Sequence, residues 1–351
     1  MRDESVQVDR SRLEQFESLP MRVGWGSYRR VSDELLAYVA QLGIKDVTLT
    51  PWRYEAFESS MPVGTSWSFD DITSVRDRIE RAGLRLYAFE TLPIPLYDIL
   101  TASPEVRADQ LEAIRTTIRN LGRAGIPVQG YSGHHPKGVG RTTRTYPVRG
   151  GAEATAFDLE DVDDGQLVLD REYAEAELWD AYEEFLESVI PVAESSGVTL
   201  AGHPSDPPIE KLGGLPMLFR SVESFRRAMD LVPSDHHGIK LGMGCWSEMG
   251  EDLPEVTRAF GEKIVYVHYR DVVGTVPSFY ETFIDDPDSN YDEFEVMRAL
   301  RDVGFSGVML PDHVPMMVGD DNWEYGSIRG RTYTVGYLNG MLRALEPDGS
   351  A

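Results

Sequence analysis

Five residues at the ends of four apolar runs could do chemistry together. His203 closes "VTLAGHP", Cys245 lies near the end of "IKLGMGCW", His268 lies in "IVYVHYRDV", and Asp312 and His313 close "GVMLPDH". Imidazole, thiolate and carboxylate are donors for a divalent transition ion. Sulfur and nitrogen together suit zinc, iron, cobalt or manganese better than magnesium or calcium. One histidine in an apolar run is most often a satisfied core residue, and one cysteine a small buried hydrophobe. Repetition at the same end of consecutive runs is what points to a metal. Four such ligands in a closed tetrahedron would make a structural site; an enzyme needs positions for water or substrate, so a coordination of five or six is expected. Adjacent side chains at a strand end point apart, so one of Asp312 and His313 can hold the ion while the other faces the substrate.

Residues can meet this way only if the runs are parallel strands ending on one side. The apolar, β-rich runs span 21–28, 46–52, 84–93, 127–132, 198–204, 239–246, 264–272 and 307–313. Amphipathic stretches separate most of them. "SDELLAYVAQLG" opens on a Ser–Asp capping signal, and "SPEVRADQLEAIRTTIRNLGRAG" opens on Ser103 with Pro104 in the first turn. Alternating strands and helices predict a (β/α)8 TIM barrel over 21–345, preceded by an N-terminal extension over 1–20. A doubly wound sheet is the competing architecture, weakened by the lack of GxGxxG after the first strand. Barrel chemistry sits at the C-terminal ends of the strands, where His203, Cys245, His268, Asp312 and His313 fall. The Gly- and Arg-rich stretch 133–170 is too long for a plain connection. It reads as a lid-like insertion, with disorder as the alternative. His134 and His135 lie in it, able to touch substrate or to stand in solvent. His236 and His237 precede the sixth run and read as surface or turn residues of the opposite face.

Composition excludes more than it assigns. Fifty-nine acids against 34 bases give a net charge of −25, spread along the chain, which argues against nucleic acid as a partner. Lysine is confined to Lys45, Lys137, Lys211, Lys240 and Lys263. A dispersed acidic surface keeps protein soluble where salt screens charge, so a halophilic source is expected. No apolar run approaches the roughly 20 residues of a membrane span, and "MRDESVQVDRSRLEQFE" shows no signal-peptide core. The lone Cys245 rules out an internal disulfide framework, and a cytoplasmic location is expected.

With these residues in place, the sequence resembles the D-mannonate dehydratase family of xylose-isomerase-like TIM barrels. "LRLYAFETLPIP", "TIRNLGRAGIPV", "GHPSDPP", "VYVHYRDV", "MRALRDVGFSGVMLPDH" and "YTVGYLNGML" carry the resemblance in order. It implies a manganese or iron(II) ion held by His203, Cys245, His268 and Asp312. It implies His313 as a catalytic acid/base with a tyrosine partner, best matched by Tyr325 of "WEYGSIRG", with Tyr333 as competitor. The implied reaction is dehydration of a sugar acid to a 2-keto-3-deoxy acid. Arg270 is expected to contact the substrate or the metal shell, or else to form a structural ion pair, and Arg144 and His135 are further substrate-binding candidates. A homo-oligomer is expected by analogy with this barrel class.

The pattern departs from the family at Ser205, where an Asp is common, at "PDHVP" in place of "PDHGR", and in "SGHHPKGVGRTTRT" in place of a segment like "MPVFDWTRT". These are substrate-facing loops, so the metal site looks retained and the substrate pocket altered. Two readings compete with the dehydratase: a metal-dependent sugar isomerase or epimerase, and a catalytically dead binding protein on the same scaffold.

Overall fold

The computed structural model describes residues 8–26, 32–50, 61, 64–133, 140–163, 166–320 and 328–345. Eight parallel strands form one sheet: β1 (Arg22–Val23), β2 (Asp46–Leu49), β3 (Arg85–Phe89), β4 (Val128–Ser132), β7 (Thr199–His203), β10 (His237–Gly242), β11 (Ile264–Tyr269) and β14 (Val308–Pro311). Their order is β1-β14-β11-β10-β7-β4-β3-β2, and a parallel bridge between Trp25 and Val47 joins the two ends into a barrel. The remaining strands are β5 (Thr143–Pro147), β6 (Glu153–Asp158), β12 (Asp271–Thr275) and β13 (Ser278–Thr282) in a second sheet, and the short pair β8 (Lys211–Leu212) and β9 (Leu215–Pro216).

The helices are α1 (Arg10–Glu17), α2 (Asp33–Gln41), α3 (Phe69–Arg81), α4 (Leu96–Leu100), α5 (Pro104–Arg123), α6 (Glu175–Ser196), α7 (Val222–Leu231), α8 (Met243–Glu248), α9 (Leu253–Phe260), α10 (Glu293–Asp302) and α11 (Ile328–Leu345). Their starts follow from short polar side chains. Ser32, Ser68 and Ser103 each accept a hydrogen bond from a first-turn N–H of α2, α3 and α5, and Asp252 and Asp292 do so for α9 and α10. None of the helices among the described residues is long and apolar enough to cross a membrane.

Two packing features set up the mouth of the barrel. From the N-terminal side, Phe16 of α1 joins an interior cluster with Tyr87, Val128, Ala201, Tyr266, Val308 and Leu310, so residues within 1–20 help fill the barrel. On the far side, the buried Arg331 of α11 donates to the carbonyls of Gly26 and Pro311 at 3.0 and 2.7 Å. That fixes the backbone immediately before Asp312.

The structure departs from the sequence reading in three places. The run 239–246 is not all strand: β10 stops at Gly242, and Cys245 sits on the following helix α8. The run 264–272 breaks at Arg270, and a hairpin, β12–β13, follows. His237 is not a surface or turn residue; it opens β10, is 1% exposed, and accepts or donates a 2.7 Å hydrogen bond with the Tyr131 hydroxyl.

The 133–170 stretch holds two strands, β5 and β6, which continue the β12–β13 hairpin into a four-stranded antiparallel sheet. Side chains two apart share a face, so Thr155 and Phe157 on β6 sit with Phe279 and Glu281 on β13. The aromatic members pack with Val272, Ile209, Leu212 and Met217 in a satellite core. The polar members, Thr155 and Glu281, hydrogen-bond each other.

Candidate active site

The C-terminal ends of β3, β7, β11 and β14 and the start of α8 converge on a charged cluster. His203 ends β7. Its Nδ1 lies 2.9 Å from the carbonyl of Pro204, which can only accept, so Nδ1 carries the proton and Nε2 keeps a lone pair. Nε2 points at Gly242: a Cβ there would stand 2.3 Å from it, so glycine is what leaves this nitrogen room. Burial, with help from Lys240 and His268, holds the imidazole well below its ordinary pKa, so the ring is neutral and able to bind a cation.

His268 and Tyr266, two apart on β11, both face the barrel interior. The His268 ring centre lies 5.7 Å from that of His203. Its Nδ1 is 3.2 Å from Asp312 Oδ1, and its Nε2 is 3.2 Å from Glu90 Oε2 but finds no hydrogen bond there. Glu90 directly follows β3 and also faces Lys240 at 3.4 Å and the Thr48 hydroxyl. Burial alone would raise the Glu90 carboxyl, yet His268 and Lys240 hold it well below the usual carboxylate range.

Arg270 is the hub. It is 2% exposed, and Gly244 makes room for it: a Cβ there would lie 2.0 Å from Nε. Nη2 donates to Cys245 Sγ at 3.0 Å and to Glu248 Oε1 at 2.9 Å. Nη1 donates to Asp206 Oδ2 at 2.8 Å and lies 3.6 Å from Asp312 Oδ2. Of the four expected ligands, then, His268 and Asp312 are in contact and His203 lies beside His268. Cys245 faces them across the guanidinium. Cys245 gathers instead with Asp206 and Glu248, whose ligand atoms lie within 4.8 Å of one another, the one such group among the described residues. Burial pushes the Cys245 thiol up, and Asp206 adds to this.

His313 stands at the rim, its side chain 19% exposed. Nδ1 is 2.6 Å from Glu281 Oε1 and 3.1 Å from Arg270 Nη1, and Nε2 is 3.9 Å from Asp312 Oδ1. Glu281 is held in turn by Arg141, whose Nη2 and Nε reach Oε1 at 2.6 and 3.0 Å. Burial would raise the Glu281 carboxyl, but His313 and Arg141 bring it down to about 2. Arg141 also grips Asp206 with two nitrogens, at 2.6 and 3.1 Å.

The remaining expectations fall elsewhere. Arg144 is exposed on β5, while Arg141, three residues earlier, enters the cluster. Tyr333 is 39% exposed on α11. Tyr325 and His135 lie outside the described residues. Ser205 serves the backbone, donating to the Gly133 carbonyl and accepting from Phe219 N; the acid beside it, Asp206, faces the site. Sequence reading passed over Glu90, Asp206, Lys240, Glu248, Glu281 and Arg141. Glu90 had a signal, since it is the first charged residue after the apolar stretch "LYAF" of the run 84–93.

The donor set suits a divalent cation. Two imidazoles, a thiol and a carboxylate line the mouth, and His268 Nε2 is a buried nitrogen without a hydrogen bond. Among the described residues, five carboxylates (Glu90, Asp206, Glu248, Glu281 and Asp312) face three fixed cations (Arg141, Lys240 and Arg270), all largely buried. Burial raises the Glu248 carboxyl to about 8; Arg270 pulls it down, and Asp206 adds to the rise. A buried surplus of negative charge is costly unless another cation offsets it.

A barrel mouth lined by possible metal ligands, with a half-buried imidazole at its rim, is suited to acid/base chemistry on a small molecule. Comparison with known proteins narrows the class. The profile of the family described as "D-mannonate dehydratase (UxuA)" matches residues 19–171 and 165–349. The chain belongs to the D-mannonate dehydratase family, whose members are hydro-lyases. It is 30% identical over 321 residues to the mannonate dehydratase of Thermotoga maritima, covering 82% of this chain and 88% of that one. The crystal structure of mannonate dehydratase from Streptococcus suis superposes with a TM-score of 0.83 at 26% identity, covering 95% and 97% of the two chains. A xylose isomerase domain protein from Planctomyces limnophilus, at 10% identity and a TM-score of 0.58 over 93% of this chain and 98% of that one, shares the fold alone. The barrel is therefore of the xylose-isomerase-like kind.

Proposed function

We propose that the chain removes water from a sugar acid, D-mannonate or a close relative, to give a 2-keto-3-deoxy acid. The observation that carries this reading is His313: an imidazole on the rim, held at Nδ1 by a buried carboxylate and standing next to the largely buried Asp312. A base in that position can reach a substrate at the mouth without being a ligand itself.

The reaction breaks the C2–H and C3–O bonds. The C2 proton leaves to a base, its electron pair forms the C2=C3 bond, and the C3 hydroxyl departs as water after taking a proton from an acid. The resulting C2 enol becomes the ketone. His203, Cys245, His268 and Asp312 would hold the cation, manganese or iron(II) by family resemblance. When bound, it would act as a Lewis acid that neutralises the substrate carboxylate and so acidifies the C2 proton. His313 serves as one member of the acid/base pair, with Tyr325 as the other. Arg270 keeps the neighbouring acids apart and offers positive charge near the mouth. The acidic, lysine-poor surface fits a saline cytosol, and a homo-oligomer fits the barrel class by analogy.

The test is turnover of the metal-reconstituted protein on mannonate, gluconate and a panel of aldoses and ketoses, with bound metal measured by elemental analysis. Formation of a 2-keto-3-deoxy acid is expected, and the variants H203A and H268A should lose both metal and turnover. Aldose–ketose exchange without keto-deoxy acid, or full metal occupancy in both variants, would sink the assignment.

A further inference from the structure

The second sheet has no part in closing the barrel, yet one of its residues reaches the acid/base histidine. We propose that Glu281 is a positioning residue for His313: it accepts a hydrogen bond from the Nδ1–H, sets the ring's orientation and tautomer, and so makes Nε2 the proton-free nitrogen. This rests on the acid/base role read above for His313.

Among the described residues, two groups compete for Nδ1. Glu281 Oε1, at 2.6 Å, is an ionised carboxylate and can only accept, so it requires a proton on Nδ1. Arg270 Nη1, at 3.1 Å, can only donate and would require a lone pair there. Both cannot be satisfied. The carboxylate contact is shorter, and Arg270 Nη1 has an alternative acceptor in Asp206 Oδ2 at 2.8 Å. Glu281 therefore decides the tautomer, and the proton-free nitrogen of the neutral ring is Nε2, on the side of Asp312 Oδ1 at 3.9 Å.

Glu281 is built to be a rigid acceptor. It is 1% exposed. Its Oε1 is gripped by two nitrogens of Arg141, and its Oε2 accepts from the Thr155 hydroxyl. Arg141 and Thr155 come from the 133–170 stretch and Glu281 from the β12–β13 hairpin. The pairing of β13 with β6 therefore brings all three together. The four-stranded sheet acts through this carboxylate to aim His313, just as the residue behind a metal-bound or catalytic imidazole fixes its orientation elsewhere.

The test uses Glu281→Gln and Glu281→Ala in the full chain. The ring tautomer is read by 15N NMR of protein loaded with diamagnetic Zn2+, with H313N identifying the His313 signals. Wild type should show Nδ1 protonated, and E281Q, whose amide can donate as well as accept, should show the other tautomer or a mixture. Turnover of metal-reconstituted E281Q should fall about 10- to 100-fold in kcat, with KM within about twofold and metal content unchanged, because only the proton-transfer step is touched. In E281A, added formate should restore part of the lost kcat by refilling the carboxylate's place. An unchanged tautomer in E281Q, or a wild-type kcat, would overturn the positioning role. So would a loss confined to KM. Should E281A fail to fold, E281Q decides alone. If the wild type dehydrates no sugar acid while the tautomer shifts as expected, the reaction reading fails and the positioning contact stands.

Discussion

Histidines on the same barrel live in opposite physical worlds. At the mouth, His268 and His313 sit among Glu90, Asp312, Glu281 and Arg270 within 2.6 to 3.2 Å. Behind the wall, His237 of β10 packs against Tyr131 of β4 and Tyr182 of α6. Its ring stacks on Tyr131 at 6.2 Å between centres, and its Nε2 hydrogen-bonds to the Tyr131 hydroxyl, which in turn meets the Tyr182 hydroxyl at 2.7 Å. Both places are buried. What separates them is charge: the mouth concentrates ions that need one another, and the wall excludes them. The mouth is therefore tuned for holding and moving protons and cations, while the wall uses the imidazole as a flat, neutral filler.

The largest effect should come from breaking the mouth's charge balance. Arg270 contacts four acidic side chains and a thiol from a position 1% exposed by its side chain. Arg270→Met leaves Asp206 and Glu248 facing each other without the cation between them. Removing one partner of a buried ionic network costs on the order of 3–5 kcal/mol, so urea unfolding of R270M should show a loss of that size together with lost turnover. Arg270→Lys keeps the charge but not the planar fork and should fall between. A melting curve for R270M that overlays the wild type would mean that the mouth is not held by its ions.

The wall should instead show itself through acid. Burial, with a lesser push from Lys263, lowers His237 to about 3, whereas an unfolded imidazole titrates at roughly 6.5. The folded ring refuses a proton that the unfolded ring accepts. Its contribution is fully present above about pH 6.5 and is lost as the pH falls toward about 3. Denaturant unfolding of wild type and His237→Asn at pH 7 and pH 5 isolates this share, since both proteins keep the carboxylates of the mouth. H237N should be less stable than wild type at pH 7 and should lose less on acidification. Parallel losses in the two proteins would remove His237 from the acid response.

How much of this contrast could be read in advance follows from range. Strand ends are local: an apolar run closing on His203, His268 or Asp312–His313 is visible in a few residues, and the barrel supplies the common side. Cys245 shows the limit, because nothing in "IKLGMGCW" marks the change from strand to helix at Gly242. His237 misled for the same reason, since "SDHHG" carries turn residues one step before an alternating strand. Glu281 and Arg141 were out of reach for a different cause. Their meeting depends on the register of β13 against β6, which joins segments more than a hundred residues apart, and the turn signal in "VVGTVPSFY" gives the hairpin without its partner.

The smallest effect should mark the far edge of the wall. Tyr182 meets the cluster through one hydroxyl, 2.7 Å from that of Tyr131, while its ring packs against Phe185 and Phe219 at 6.0 and 5.1 Å between centres. Tyr182→Phe keeps the ring and removes only the oxygen. Tyr131 retains its bond to His237 Nε2, so no buried group loses its last partner. The cost should be that of a single buried hydrogen bond, about 0.5–1.5 kcal/mol, read as a shift in urea midpoint at unchanged slope. Bound metal and kcat should match the wild type, because no ion of the mouth touches this hydroxyl. A fall in either would mean that the two environments are coupled through β7 and β10, and that the neutral wall helps to hold the charged mouth in place.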